Sequence, residues 1–405
     1  MFSKSSDLFD PKGYFAALWP YRYTCFLFTH CNARSKKWRA TYAIIFMLGH
    51  SAMYWYSLIL SYPLKWIATN PAELVAWIFE VTVIPLNIVM WFFVGHRCFM
   101  GSVSSITRLD RDLANICSKH VDLKAMVRRQ LICFVCEYTI YIPVTIVCIL
   151  TNSVEPLNNL PYTVQYVSYH YIAAINNSVM SVFSNVVYFI GDRYALINSA
   201  LEDTRDGDVK GEMTNHSNES ENVVELIRQL RIVHRKLFSV SKEVMEGFSL
   251  QIVFCIVLIF FETAYDLYFL TFGMSAIICH ESTTMDYLIA VFSVVHSLTG
   301  IVYMAYCCHR TVRMANGTAK ILNTLIIDGN DMRLEVSSFF HQMIHCQLFF
   351  SPLGFFQVDL AFLQSFIASM ATYFVILAQV GTVIFYCPEL RKNDMLHAPV
   401  ANFSS

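Results

Sequence analysis

Long apolar stretches, separated by polar segments that carry Lys and Arg, recur along the whole chain. Residues 40–62, 73–95, 131–150, 166–191, 247–270, 287–308 and 354–386 each read as a continuous apolar run. At ~1.5 Å of rise per residue, each is long enough to cross roughly 30 Å of hydrocarbon as a helix. The third is the shortest, and the fourth is rich in Asn and Ser. The pattern predicts an all-α integral membrane protein with seven transmembrane helices.

Between the fourth and fifth runs the character changes midway. Residues 203–221 are polar and nearly free of apolar side chains, which predicts a segment without regular structure. Beyond it Val223, Leu226, Leu230, Val233, Leu237 and Val240 recur at intervals of three and four. That is the period of an amphipathic helix over residues 222–244, running toward the fifth span. It either lies on the membrane surface or packs against other helices or subunits, and packing is the preferred reading. After the turn residues Asp328-Gly329-Asn330-Asp331, residues 332–350 form a helix expected to end at Ser351-Pro352, and Pro352 and Gly354 break it from the last span.

Charge orients these elements. No Lys or Arg lies inside a span, and 26 of the 29 fall in the N-terminal segment and the second, fourth and sixth loops. The exceptions are Lys65, Arg391 and Lys392. Basic residues concentrate on the cytosolic side, so the N-terminus is cytosolic and the C-terminus extracellular. The resulting divisions are a cytosolic segment (1–39), a six-helix bundle with its loops (40–330), a cytosolic helix (331–353), the last span (354–386) and an extracellular tail (387–405). Asn402-Phe403-Ser404 then lies outside, and Asn215-His216-Ser217 and Asn218-Glu219-Ser220 lie inside, away from glycosylation. The first residues lack a short apolar core with a small-residue cleavage site, and no signal peptide is expected.

Composition agrees with this placement. A chain of 405 residues that is 56% hydrophobic and 15% charged carries more apolar surface than a soluble domain can hide. The net charge of -1 gives no reason to expect nucleic acid. The 13 Cys lack metal-ligand spacing and read mostly as small core residues. No phosphate loop or nucleophile motif marks an enzyme. His341 and His345 lie four apart on the helix before the last span, and a metal would need a third ligand, so no metal or cofactor is expected.

The last span carries a polar stripe. Ser365, Ser369, Thr372 and Gln379 follow at intervals of four, three and seven, and stack on one helix face. Polar groups facing lipid are unfavourable, so the stripe faces protein or water. A buried packing face satisfies the spacing as well as a water-filled lumen does.

Within this span, Thr372-Tyr373, five apolar residues and Gln379 resemble the closing signature of insect gustatory receptors, Thr-Tyr, five apolars, Gln-Phe, with Val380 in place of the Phe. Gln347 to Asp359, QLFFSPLGFFQVD, resembles the family's segment ahead of that helix. His234 to Tyr268, with HRKLF, Phe260-Phe261 and Tyr265, is similar to the entry into its fifth helix. The likeness covers most of the second half of the chain; the first half agrees in layout.

The resemblance implies a gustatory chemoreceptor of the plasma membrane, in a sensory neuron dendrite. Such a receptor is a tetrameric, ligand-gated, nonselective cation channel, homomeric or assembled with related receptors, with one last helix from each subunit lining the pore. By position, Gln379 and Val380 stand at the gate, Ile376 one turn earlier shares the constriction, and Ser365, Ser369 and Thr372 line the pore wall below. Apolar rings that close a narrow tube block ions by dewetting, and a ring of amides hydrates ions once it widens. For the ligand pocket the outer half of the bundle offers Tyr54, Trp55 and Tyr56, then Trp77 and Glu80, then Tyr166, Tyr169 and His170, and from the later spans Glu262, Tyr265, Asp266, Tyr287 and His296. Aromatic walls with a few polar groups suit a small organic tastant, although interfacial aromatics also serve simply as anchors. Sugar-responsive members commonly place Glu after the Thr-Tyr, whereas this chain has Phe374, which favours a bitter or plant-derived compound. Of the rivals, a secondary transporter of a small organic solute should show internal repeats with broken helices, which are not evident. Asp192-Arg193-Tyr194 matches a triplet of G-protein-coupled receptors, but it closes the fourth span and the N-terminus is on the wrong side. It reads as chance, with Arg193 one more basic residue at the membrane edge.

Overall fold

The computed structural model describes residues 96–117, 122–152, 160–209, 216–272, 284–325 and 329–381, with isolated helical positions between 41 and 56. The described residues are helical, with no strand among them. The helices are α1 (His96–Ile116), α2 (Leu123–Asn152), α3 (Leu160–Val209), α4 (His216–Phe272), α5 (Thr284–Leu322), α6 (Asn330–His345) and α7 (Leu360–Gly381). A short 3-10 turn, Pro352–Gly354, precedes α7. Most of the first two apolar runs, the first 39 residues and the tail 387–405 lie outside the described residues.

Helices α2 to α5 are longer than the apolar runs that announce them. The amphipathic stretch 222–244 and the fifth run fuse into α4, whose 57 residues extend about 86 Å at 1.5 Å each. Among the described residues two helices, Glu221–Thr271 and Tyr287–Leu322, are long and apolar enough to cross a membrane, and Leu360–Ile376 is a shorter apolar helix. The amphipathic face predicted for 222–244 is buried at Leu230, Val233, Leu237 and Val240, so it packs within the chain's own core.

Three expectations change. Residues 203–221 are not wholly irregular, because α3 runs to Val209 and α4 starts at His216, with 210–215 outside the described residues. The helix after the turn residues ends at His345, short of Ser351. Beyond it Asn316 of α5 donates Nδ2–H to the carbonyl of Leu348 (3.1 Å) and accepts its N–H (3.1 Å), which holds the backbone extended. The last helix starts at Leu360, not Gly354: Leu353 (φ 50) and Gly354 (φ 77) are left-handed. Asp359 then caps α7 by accepting the Phe362 N–H at 2.9 Å.

Helix α1 was not expected from the apolar runs, and its signal is periodic instead. Val103, Ile106, Leu109 and Leu113 are buried at intervals of three and four. The core then continues through α3, α4 and α5, with Phe183, Phe189 and Phe248 fully buried. Phe183 lies 5.6 Å from Phe248 and 6.3 Å, edge-on, from Phe350 of the extended segment. At the crossing of α3 and α5 a Cβ on Gly191 would lie 2.6 Å from Thr311 Oγ1, so only glycine permits this approach.

Candidate functional site

Among the described residues, helix α7 is attached along one side. Its buried residues are Phe366 and Met370. A ladder of rings fastens this side: Phe356 stacks on Phe362 (4.9 Å), Phe362 meets Phe366 (5.9 Å), and Phe366 packs edge-on to Phe260 of α4 (5.8 Å). Tyr373 closes the ladder, 5.6 Å from Phe260 and 5.9 Å from Phe261. The Tyr of the closing signature and the paired Phe of α4 are therefore in contact, and together they set the rotation of α7.

That rotation carries the polar stripe away from the core. At ~100° per residue, Ser365, Ser369, Thr372, Ile376 and Gln379 fall within roughly 80° of one another. Ser365, Ser369, Thr372 and Gln379 are exposed, and so is Ile376 at 50%. Within a single chain the stripe is thus no buried packing face. Ser369 and Thr372 donate their hydroxyls to the carbonyls of Ser365 (2.8 Å) and Ala368 (2.9 Å), and Ser365 donates to Ala361 at 3.5 Å. Each hydroxyl keeps lone pairs for water. Val380 belongs to α7, but its side chain lies outside the described residues.

Of the residues proposed for a ligand pocket, Tyr54, Trp55, Trp77 and Glu80 lie outside the described residues, as do the side chains of Tyr166, Tyr169 and His170 in α3. Tyr56 is described and is 66% exposed. The α4 and α5 members do converge, because the two helices run antiparallel here. Phe269 of α4 lies 5.2 Å from Tyr287 of α5, and Asp266 accepts a hydrogen bond from Ser293. One turn further along each helix, Glu262 is level with His296; both are half-buried, as is Tyr265. Asp266 Oδ2 and the Tyr287 hydroxyl are buried without a hydrogen-bond partner among the described residues. A covered carboxylate oxygen and a covered hydroxyl in an apolar wall are polar handles for a small molecule.

At the other end of the bundle lies a charged cluster that the apolar runs do not announce. Arg193 is 1% exposed, not a surface cation, and its guanidinium makes two 2.9 Å bonds to the carboxylate of Asp110 in α1. Asp192 accepts from Arg310 of α5 at 2.8 Å and sits 3.8 Å from Arg129 of α2. Tyr194 is fully buried, with its ring 4.9 Å from that of His234. The triplet thus ties α3 to four other helices. The available signal was spacing, since Arg193 lies four from Phe189 and from Ile197, both buried, and so on the core face of α3.

Helix α6 docks on α4 through Glu335, 2.7 Å from Arg231 and 3.7 Å from Arg228. His341 and His345 are exposed on it, and no third metal ligand joins them among the described residues.

The family model described as 7tm Chemosensory receptor matches residues 17–383. No curated protein matches the chain. Among solved structures, the insect olfactory receptor OR5 from Machilis hrabei is similar, with a TM-score of 0.57 and 13% identity over 86% of this chain and 92% of that one. The same receptor in complex with eugenol gives a TM-score of 0.57 and 14% identity over 89% of this chain and 98% of that one. At such identity the likeness is one of fold.

Proposed function

The chain belongs to the 7tm chemosensory receptor family, and on that premise we propose that it is a gustatory receptor, a nonselective cation channel opened by a small organic tastant. The observation that carries the proposal is the attachment of α7: rings fasten one side, and the stripe of Ser365, Ser369, Thr372 and Gln379 points away from the chain's own core. A polar face that stays exposed among the described residues suits a water-filled lumen shared with other copies. Gln379 and Val380, with Ile376, form the constriction, and Ser365, Ser369 and Thr372 the wall beyond it.

The asymmetry of Lys and Arg supports a cytosolic N-terminus and an extracellular C-terminus in the plasma membrane, so that Gln379 lies nearer the outer mouth than Ser365 does. α6 then lies in the cytosol as part of an anchor between subunits. The ligand meets the outer half of the bundle, where Glu262, Tyr265, Asp266, Tyr287 and His296 gather. The complex of a similar receptor with eugenol supports a small organic ligand, and Phe374 favours a bitter or plant-derived compound over a sugar.

The test is ionic current in cells that express this chain alone, challenged with alkaloids, glycosides and sugars. Ligand-evoked cation current supports the channel, whereas solute uptake without current would identify a carrier. Val380→Phe should lower the unliganded current; an unchanged basal conductance removes Val380 from the gate.

A further inference from the structure

Two arginines at the cluster described above share one carboxylate. In the groove between α2 and α5, Arg129 and Arg310 clasp the ring of Tyr188 of α3 from its two faces, with the guanidinium carbons 3.5 and 4.0 Å from the ring centre. Among the described residues their one acidic partner is Asp192, which Arg310 reaches with a hydrogen bond and Arg129 at 3.8 Å. The group therefore carries a net positive charge. Nη1 of each arginine is covered by the protein and has no hydrogen-bond acceptor among the described residues. The side chains as a whole remain partly accessible, at 30% exposure for Arg129 and 19% for Arg310.

What lies above the arginines narrows the choice of anion. Ile132 and Cys136 follow Arg129 at three and seven residues on α2, and Tyr306 and Val302 precede Arg310 at four and eight on α5. These spacings place them on the same helix faces as the arginines. Ile132 (53%), Val302 (48%) and Tyr306 (46%) are exposed, and so is Cys136. The groove thus has a cationic end and an apolar length running from it into the span. A soluble anion uses only the first; an acidic peptide has no use for the second.

We propose that this groove binds an anionic phospholipid, with its phosphate on Arg129 and Arg310 and an acyl chain along Ile132, Val302 and Tyr306. The guanidiniums present N–H donors to phosphate oxygens, and Tyr188 holds both planes in place. Because Asp192, Arg193 and Tyr188 belong to one helix, an occupied site braces α2 and α5 against α3. The site itself stands on the geometry; only its assignment to the cytosolic leaflet rests on the orientation proposed above.

The full chain is reconstituted in phosphatidylcholine nanodiscs containing a photoactivatable phosphatidylinositol phosphate, and the crosslinked peptides are mapped. The expected adduct lies on the peptides carrying residues 129–136 and 302–310. Arg129→Gln and Arg310→Gln should each lower its yield about fivefold, the equivalent of ~1 kcal/mol for each cation near an anionic lipid. Asp192→Asn removes the competing carboxylate and should raise it. Crosslinks spread evenly over the lipid-facing helices of the unaltered protein would overturn the proposal even if no variant folds. So would a yield indifferent to both arginine substitutions. Loss of the adduct on adding inorganic phosphate would assign the site to a soluble anion and overturn the lipid.

Discussion

Single residues at the arginine-rich end carry charge into places where it is tolerated only in pairs. Arg193 is covered on every side, and its charge is balanced by Asp110 from another helix. Removing one member of such a pair leaves a buried charge without its counter-ion. Asp110→Ala should therefore destabilise the folded chain by about 3 kcal/mol, read as a lower melting temperature in detergent. His234 presents the opposite case, a titratable ring buried between Tyr194 and Phe339, where burial pushes its pKa down to about 4 against a weaker opposing contact with the Ala315 carbonyl. The unfolded chain takes up this proton below about pH 6.5 and the folded chain only near 4. The contribution of His234 is thus fully present above about 6.5 and is lost as pH falls toward 4. A melting temperature that drops between neutral pH and pH ~5, and drops less in His234→Gln, is the expected result; parallel pH profiles for the two proteins would contradict it.

At the scale of elements, α7 depends on its cap and its ring ladder more than on burial. Tyr373 contributes ring contacts to Phe260 and Phe261, so Tyr373→Phe should leave expression and thermal stability close to those of the unaltered chain. Tyr373→Ala removes both contacts and should cost on the order of 2 kcal/mol. It also frees the rotation of α7, so basal current should rise along with the loss of stability. The polar stripe was legible as a stripe because its spacing is helical. Its direction was not, since that depends on which neighbouring rings hold the opposite side. The break before α7 was legible from Pro352 and Gly354, while the end of α6 depended on Asn316, 30 residues away from Cys346 along the chain.

For the whole molecule, exposed apolar side chains mark where one chain meets its surroundings. Leu334 (66%), Ile344 (53%) and Phe340 (40%) are exposed on α6, with Phe349 (58%) and Phe355 (73%) beyond it. In the proposed orientation this region lies in the cytosol, where such a patch needs a partner. Leu334→Asp combined with Ile344→Asp should shift the purified receptor from the assembly that the resemblance implies, a tetramer, toward smaller species by native mass spectrometry, while a single chain's melting is little changed. An unaltered mass distribution would place the subunit contacts elsewhere. Topology has an independent check in glycosylation: modified Asn402, with Asn215 and Asn218 bare, is the expected pattern, and sugar at the latter two would reverse the orientation.

The sequence by itself determined the class and much of the layout. Apolar length fixes membrane-spanning helices because unsatisfied backbone groups cannot enter hydrocarbon, and the 3.6-residue period fixes which side of 222–244 is buried. The closing motif pointed to the chemosensory family, which the match over residues 17–383 establishes. Tertiary structure alone decided which distant residues meet. Asp110 with Arg193, Asp192 with Arg129 and Arg310, and Phe260 with Tyr373 are separated by tens to more than a hundred positions, and no local spacing encodes such pairings. They arise when helices of fixed period are packed side by side, and only the crossing positions, such as Gly191 on Thr311, set which faces touch.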